Sequence, residues 1–237
     1  MKKLLLFSFL CFFLVKIHAI KTYKIGDTLN VWAKNGLFIR SEPNVKSEKI
    51  GKLEYGNSVV VVEQTLRKIA FSVLEFKDFK IKGFWVKINY NDQIGYIFDG
   101  YLSKLPCLKI EDGQNVEHFE GYAKRVFGLL KNFCKRDTSL DDTQEHCTSK
   151  FKKNVVYKYE STYAGQGETF MFKYITFEEA FLFANIYFKW TKDTYKIIVV
   201  SNENLDYNKA ADIGARDGVQ IFEYEGYMTI DSGFSGP

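Results

Sequence analysis

The sequence predicts a mixed fold: an all-β small barrel over residues 20–105, then an α+β domain over residues 117–237 with an antiparallel sheet and two helices. Between Gly36 and Ser103, short β-rich runs alternate with Gly, Asn and Pro punctuation, the pattern of a small antiparallel barrel with one wet face. Beyond residue 117, two stretches repeat apolar residues at three- and four-residue spacing and strand-like runs follow each of them.

Residues 1–19 read as an export signal. Lys2 and Lys3 form a positive start, Leu4 to Val15 are apolar or nearly so, and Ala19 offers a small residue at the cleavage edge. The apolar run is shorter than the roughly 20 residues a permanent membrane span needs, so no stable span is expected after cleavage. Cys11 lies inside the apolar run behind bulky Phe9 and Leu10, which argues against lipid attachment. The leader carries Lys2, Lys3 and Lys16 and no acid, so its removal takes the formal charge from +4 to +1. A chain so near neutrality gives no reason to expect nucleic acid as a partner.

The barrel elements follow in order. Leu29 to Trp32 is strand-like, and Asn35-Gly36 is a two-residue hairpin signal. In Leu37-Phe38-Ile39-Arg40, alternation sends Leu37 and Ile39 inward and Phe38 and Arg40 outward. Ser41-Glu42-Pro43-Asn44 is turn chemistry. Ile50 to Leu53 and Val59 to Val62 are further strands, joined through Tyr55-Gly56-Asn57. Trp85 to Ile88 pairs with Ile94 to Ile97 across a Tyr90-Asn91-Asp92-Gln93 hairpin. An insert at 66–82 mixes charges with aromatics and either extends a hairpin or forms a small appendage.

Three pieces of this stretch carry a family resemblance: Gly36-Leu37-Phe38-Ile39-Arg40-Ser41-Glu42-Pro43, then Ile50-Gly51 with Gly56-Asn57-Ser58-Val59, then Trp85 to Ile88 with Gly95 to Leu102. In this order they resemble the bacterial SH3 (SH3b) domain, over about residues 26–104. The chain departs from that family's pattern at Phe38, where a polar residue is usual, at Glu42, where Gly is usual, and in the length of the 66–82 insert. The resemblance implies a peptidoglycan-peptide contact through an aromatic-lined groove, for which Phe38, Tyr55, Tyr90, Tyr96 and Tyr101 are the ligand-binding candidates. For Tyr96 and Tyr101 the competing role is core or cross-strand packing.

Residues 106–116 read as a polar linker. A helix is expected from about Glu117 to Lys135, with Phe119, Tyr122, Ala123, Val126, Leu130 and Phe133 on one stripe. Val155 to Tyr163 and Thr169 to Ile175 read as strands separated by an Ala164-Gly165-Gln166-Gly167 turn. Thr176-x-x-Glu179 is a capping box opening a second helix to about Trp190, apolar on most sides and therefore expected in a core. Tyr195 to Val200 is a strand, Asn202 to Arg216 a polar connection, and Gly218 to Ile230 a strand or a hairpin turning near Glu225-Gly226. No family is recognised for this half.

After the leader, Cys107, Cys134 and Cys147 remain. In an oxidising compartment an odd number implies one disulfide and one leftover thiol. Three pairings are open; Cys134–Cys147, closing the polar loop KRDTSLDDTQEH, is the favoured candidate. A zinc site from Cys134, Cys147, His146 and His118 lacks ligand spacing, so no metal is assigned, and no cofactor is called for. A wall-type cysteine peptidase needs a thiolate at a helix N-terminus beside a His base, and no cysteine here has that setting. No catalytic residue is nominated and the chain reads as a non-enzyme.

The expectation is thus an exported, periplasmic or extracellular, non-catalytic envelope protein whose barrel binds a cell-wall peptide or an envelope protein. The alternative is a scaffold whose barrel docks its own second domain; a cell-wall hydrolase stands behind both.

Overall fold

Alternating burial builds the first half. In the computed structural model, which describes residues 23–63, 66–76, 79–111, 115–137, 144–162, 165–189, 198–199 and 219–233, eight strands form one sheet. They are β1 (Thr28–Val31), β2 (Leu37–Arg40), β3 (Lys49–Leu53), β4 (Ser58–Val61), β5 (Leu66–Phe76), β6 (Phe79–Tyr90), β7 (Gln93–Phe98) and β8 (Leu102–Ser103). Their order is β3-β2-β7-β6-β4-β1-β8, with β5 alongside β6. Leu29, Val31, Ile39, Leu53, Val59, Val61, Val86, Ile88, Ile97 and Leu102 occupy the inward positions and make one buried cluster. The export-signal reading concerns residues 1–19, which lie outside the described residues.

Turn chemistry explains the register. Asn91 and Asp92 both adopt positive φ, 49° and 63°, and close a two-residue hairpin in which Tyr90 faces Gln93. Asn35-Gly36 does make a turn, with Gly36 N–H donating to Ala33 O at 2.9 Å, but it does not join a hairpin. β1 pairs with β4 and β8 while β2 pairs with β3 and β7, because Trp32 N–H is taken by Tyr101 O from a distant part of the chain. The insert at 66–82 resolves as a hairpin extension: β5 climbs along the far end of β6, with Val73 facing Ile81.

In the second half the long first helix is a correction. α1 runs only from Phe119 to Phe127 and stops at Gly128, whose φ of 74° suits glycine and whose N–H caps Ala123 O and Lys124 O. Leu129–Asp137 is instead a strand, β11, following the small hairpin β9 (Ile110–Glu111) and β10 (Asn115–Val116). Leu130 and Phe133, assigned by periodicity to the buried stripe, are therefore exposed on β11, each at 62%.

β12 (Gln144–Phe151), β13 (Val155–Thr162) and β14 (Gly165–Phe172) continue the sheet. Gly165-Gln166-Gly167 is thus strand rather than turn: Thr162 pairs with Gly165. α2 (Phe177–Tyr187) starts in the expected capping box, with Glu179 N–H donating to Thr176 Oγ1 at 3.2 Å and Thr176 N–H donating to Glu179 Oε2 at 2.9 Å. β15 (Ile198–Val199), β16 (Gln220–Tyr224) and β17 (Tyr227–Asp231) complete a seven-stranded order β11-β12-β13-β14-β17-β16-β15. The β16–β17 hairpin turns through Glu225 and Gly226, both at positive φ. Every pair is antiparallel except β15–β16.

Phe151, Val155, Phe170, Phe172, Ile221 and Ile230 project from this sheet onto Phe119, Tyr122, Ala123, Ala180, Phe181, Phe183 and Ala184 of the two helices. Glu168 accepts from Tyr157 Oη at 2.7 Å and Tyr187 Oη at 2.9 Å, tying α2 to the sheet edge-on.

The same apolar cluster extends into the first half through Trp32, Ile81, Trp85 and Phe98. Trp32 lies 6.0 Å from Phe183, centroid to centroid, and Ser103 Oγ donates to Glu179 Oε1 at 2.6 Å. The described part of the segment between the halves is pinned at several points. Trp32 Nε1 donates to Leu105 O, Tyr122 Oη to Pro106 O, and Tyr55 Oη to Leu108 O, each at 3.0 Å. Glu117, 8% exposed, pairs with Arg125 and accepts from Lys109 N–H.

Candidate functional site

Pleating sends alternate residues of β2, β3, β6 and β7 to the outer face of the first sheet. That face divides in two. Trp85 and Phe98, paired across β6 and β7, are buried in the apolar cluster that the two halves share. Two residues further along each strand, Lys87 and Tyr96 are paired and solvent-accessible.

From there the register draws a cross-strand row. Tyr96 faces Arg40 of β2, and Arg40 faces Lys49 of β3. Phe38, two residues before Arg40 and on its face, stands opposite Lys52. Phe38 is 41% exposed, with Lys49 Nζ 4.0 Å from its ring centroid. Lys87 Nζ lies 5.7 Å from the Tyr96 ring and 3.0 Å from Glu63 Oε2. The hydrogen bond to Glu63 holds the Lys87 ammonium above its ordinary value.

Lys52 is paired with Glu54 at 2.8 Å, and Arg40 Nη1 donates to Ser47 O at 2.7 Å. Among the described residues, neither Arg40 nor Lys49 has a carboxylate partner. The face therefore offers two flat rings, each with a cation over it, and two cations able to accept a carboxylate. Glu42 sits in its turn without positive φ, so the loss of the usual Gly costs the backbone nothing. The insert pairs with β6 from Trp85 outward and so leaves the ladder beyond this row.

The candidates from sequence thus separate. Phe38 is exposed on the open face, and half-buried Tyr96 borders it while also packing against the large apolar cluster. Tyr55 does not: it packs edge-on to Trp32 at 6.3 Å, spends its hydroxyl on Leu108 O, and burial pushes that hydroxyl well up. Tyr101 packs at 5.7 Å from Phe98, and Tyr90 leans on the inner core with its hydroxyl 3.4 Å from Asn57 Oδ1. Arg40, Lys49 and Lys87 escaped sequence reasoning as binding groups. Lys87 opposite Tyr96 was legible from the β6–β7 hairpin, but the β2–β7 contact that brings Arg40 in is non-local.

The cysteines fall as favoured. Cys134 and Cys147 are directly opposed on β11 and β12 and form a disulfide. Glu145 lies near the pair, but sulfurs joined to each other are not thiolate ligands. Cys134 is in a strand rather than near a helix end. Cys107 is a free, half-buried thiol donating to Val31 O at 3.2 Å, and burial pushes it up to about 12. His118 and His146 are both exposed, the latter 3.7 Å from Glu160.

The family model described as the bacterial SH3 domain matches residues 35–103, which comprise β2 to β8. The match suggests a binding module, of a kind often associated with cell walls. The comparisons with curated proteins and with solved structures found no match. No helix among the described residues is long and apolar enough to cross a membrane.

Proposed function

We propose that this chain is an exported, non-catalytic envelope protein that binds a carboxylate-bearing cell-wall peptide, or a protein partner, on the open half of its SH3-like sheet. The observation carrying this is the row Lys49–Arg40–Tyr96 with Phe38 beside it, on the part of the chain that matches the bacterial SH3 domain. Rings hold the apolar parts of such a ligand while Arg40 and Lys49 receive its carboxylates. The disulfide is compatible with an oxidising location outside the cytoplasm. Against a cysteine hydrolase in particular stand the thiols: two are consumed in the disulfide, and burial favours the protonated form of the third.

The test is retention on purified peptidoglycan, comparing the wild-type protein with Phe38→Ala and Lys49→Glu. Wild-type retention that both substitutions weaken supports the reading; absence of wild-type retention removes the wall ligand.

A second reading, a scaffold whose sheet is braced by its own second half, is favoured by the burial of Trp32, Trp85 and Phe98 against the rest of the chain. Limited proteolysis between residues 104 and 118 tests it. Ready cleavage into two stable pieces argues against a braced unit.

A further inference from the structure

β11 is the end strand of the second sheet, paired on one side with β12 and, among the described residues, with nothing on the other. All nine of its residues are exposed. A β-bulge between Leu129 and Lys131 absorbs one residue, after which Lys131 to Asp137 pair regularly with Lys150 to Gln144. In such a ladder alternate residues direct both N–H and C=O away from the neighbouring strand, so β11 presents a straight row of backbone donors and acceptors. The Cys134–Cys147 disulfide bolts the middle of this strand to β12. The edge is therefore held extended before any partner arrives, and pairing with it costs little ordering.

The side chains select what pairs there. Lys131, Phe133 and Lys135 share one face by alternation, and Lys150, Thr148 and His146 lie opposite them on β12. Lys158 follows on β13, opposite Thr148. Lys131, Lys135, Lys150 and Lys158 are exposed and, among the described residues, have no ion-pair partner. Phe133 sits among them at 62% exposure, more than a merely solubilising edge requires. A second copy centred on Phe133 is a poor occupant. Antiparallel pairing of two β11 strands about Phe133 sets Lys131 of each chain against Lys135 of the other, and like charges directly opposed destabilise a pair. A membrane surface would leave the backbone row unpaired and finds only one ring between the lysines.

We propose that the free edge of β11 takes up an extended segment of a partner protein as an added strand. The segment carries acidic residues opposite Lys131 and Lys135 and an apolar residue opposite Phe133. This surface is separate from the SH3-like face, and the inference stands or falls independently of the function proposed for that face.

The probe is a fluorescein-labelled nonapeptide with glutamate at its third and seventh positions, valine at the fifth and threonine elsewhere. Fluorescence anisotropy with the purified, disulfide-intact protein should show saturable binding. Lysine in place of the glutamates should weaken it by about tenfold or more, and proline at the fifth position should abolish it. Lys131→Glu with Lys135→Glu alters only exposed side chains, so a native circular dichroism spectrum is expected, and this variant should prefer the lysine peptide. Recovery by charge exchange separates recognition from a folding defect. The proposal is overturned by no saturable binding of the acidic peptide up to about 1 mM. It is equally overturned by binding indifferent to the charge exchange, by self-association without peptide, or by uptake on anionic phosphatidylglycerol vesicles in place of the peptide.

Discussion

Phe183→Ala should unfold both halves of the chain together. Phe183 lies on α2 with 1% of its surface exposed. Its ring centroid is 5.5 Å from Phe172, 5.7 Å from Phe119, Tyr122 and Tyr187, 5.9 Å from Phe170 and 6.0 Å from Trp32. Five of these rings belong to the second half; Trp32 belongs to the SH3-like half. Truncating a fully buried phenylalanine costs about 3–5 kcal/mol, the upper part of the range applying where the cavity cannot collapse. Phe170 and Phe172 are fixed by strand pairing on both sides and Trp32 by its bond to Leu105 O, so collapse is restricted here. We expect a loss of about 4 kcal/mol, a large share of the roughly 5–15 kcal/mol that keeps a domain folded.

Urea unfolding in a Trp190→Phe background reads this out, because emission then reports only Trp32 and Trp85. The fluorescence and circular dichroism midpoints should fall together. A loss below about 1 kcal/mol would refute the packing argument. A tryptophan transition that stays in place while circular dichroism shifts would refute the shared core.

Two further predictions concern the cysteines. Cys134→Ser with Cys147→Ser, which opens a loop of sequence separation 13, should lower stability by about 3 kcal/mol in thermal or urea unfolding; a change under about 1 kcal/mol would show that β11 is held by its ladder alone. Native Cys107 should resist iodoacetamide at pH 8 and react once the chain is unfolded, as read by mass spectrometry, since burial raises its thiol from 9.0 to about 12. Between those values the folded state keeps a proton that the unfolded state releases, so Cys107 makes stability fall as pH rises from 9 towards 12. Cys107→Ala should make that alkaline limb shallower, with buried tyrosines such as Tyr55 and Tyr122 carrying the rest, and an unchanged slope would assign all of it to such groups.

Local chemistry was readable wherever it acts within a few residues. The Thr176–Glu179 capping box, the Asn91-Asp92 and Glu225-Gly226 turns and the in-out alternation of Leu37 to Arg40 all appear where the sequence places them. The first helix shows where such reading ends. Leu130 and Phe133 continue the three-to-four spacing of Phe119, Tyr122 and Val126, so periodicity extends the helix through them. Gly128 breaks it, because pairing with β12 and the bond to Cys147 give the following residues a better arrangement. Asn35-Gly36 misled for the same reason, since turn chemistry specifies a reversal but not which strands then pair.

The candidate site divides along that line. Alternation alone exposes Phe38 and, by the β6–β7 hairpin, sets Tyr96 beside Lys87. Bringing Arg40 between Tyr96 and Lys49 requires β2 to lie between β7 and β3, a contact across more than fifty residues. Removing Tyr55 from the face requires Trp32 and Leu108 to meet it from opposite directions along the chain.

From its residues alone, then, the chain determines an SH3-like β-rich first half, an α+β second half, the caps and turns of both, and the favoured disulfide. Backbone conformation and pleat depend on neighbours a few positions away, and those neighbours are visible in the sequence. Only the tertiary structure decided that the two halves share one aromatic core, that Trp85 and Phe98 of the SH3-like half join it, and that β11 is an open edge among the described residues. Burial and strand pairing depend on which distant surface arrives, and no local pattern encodes that.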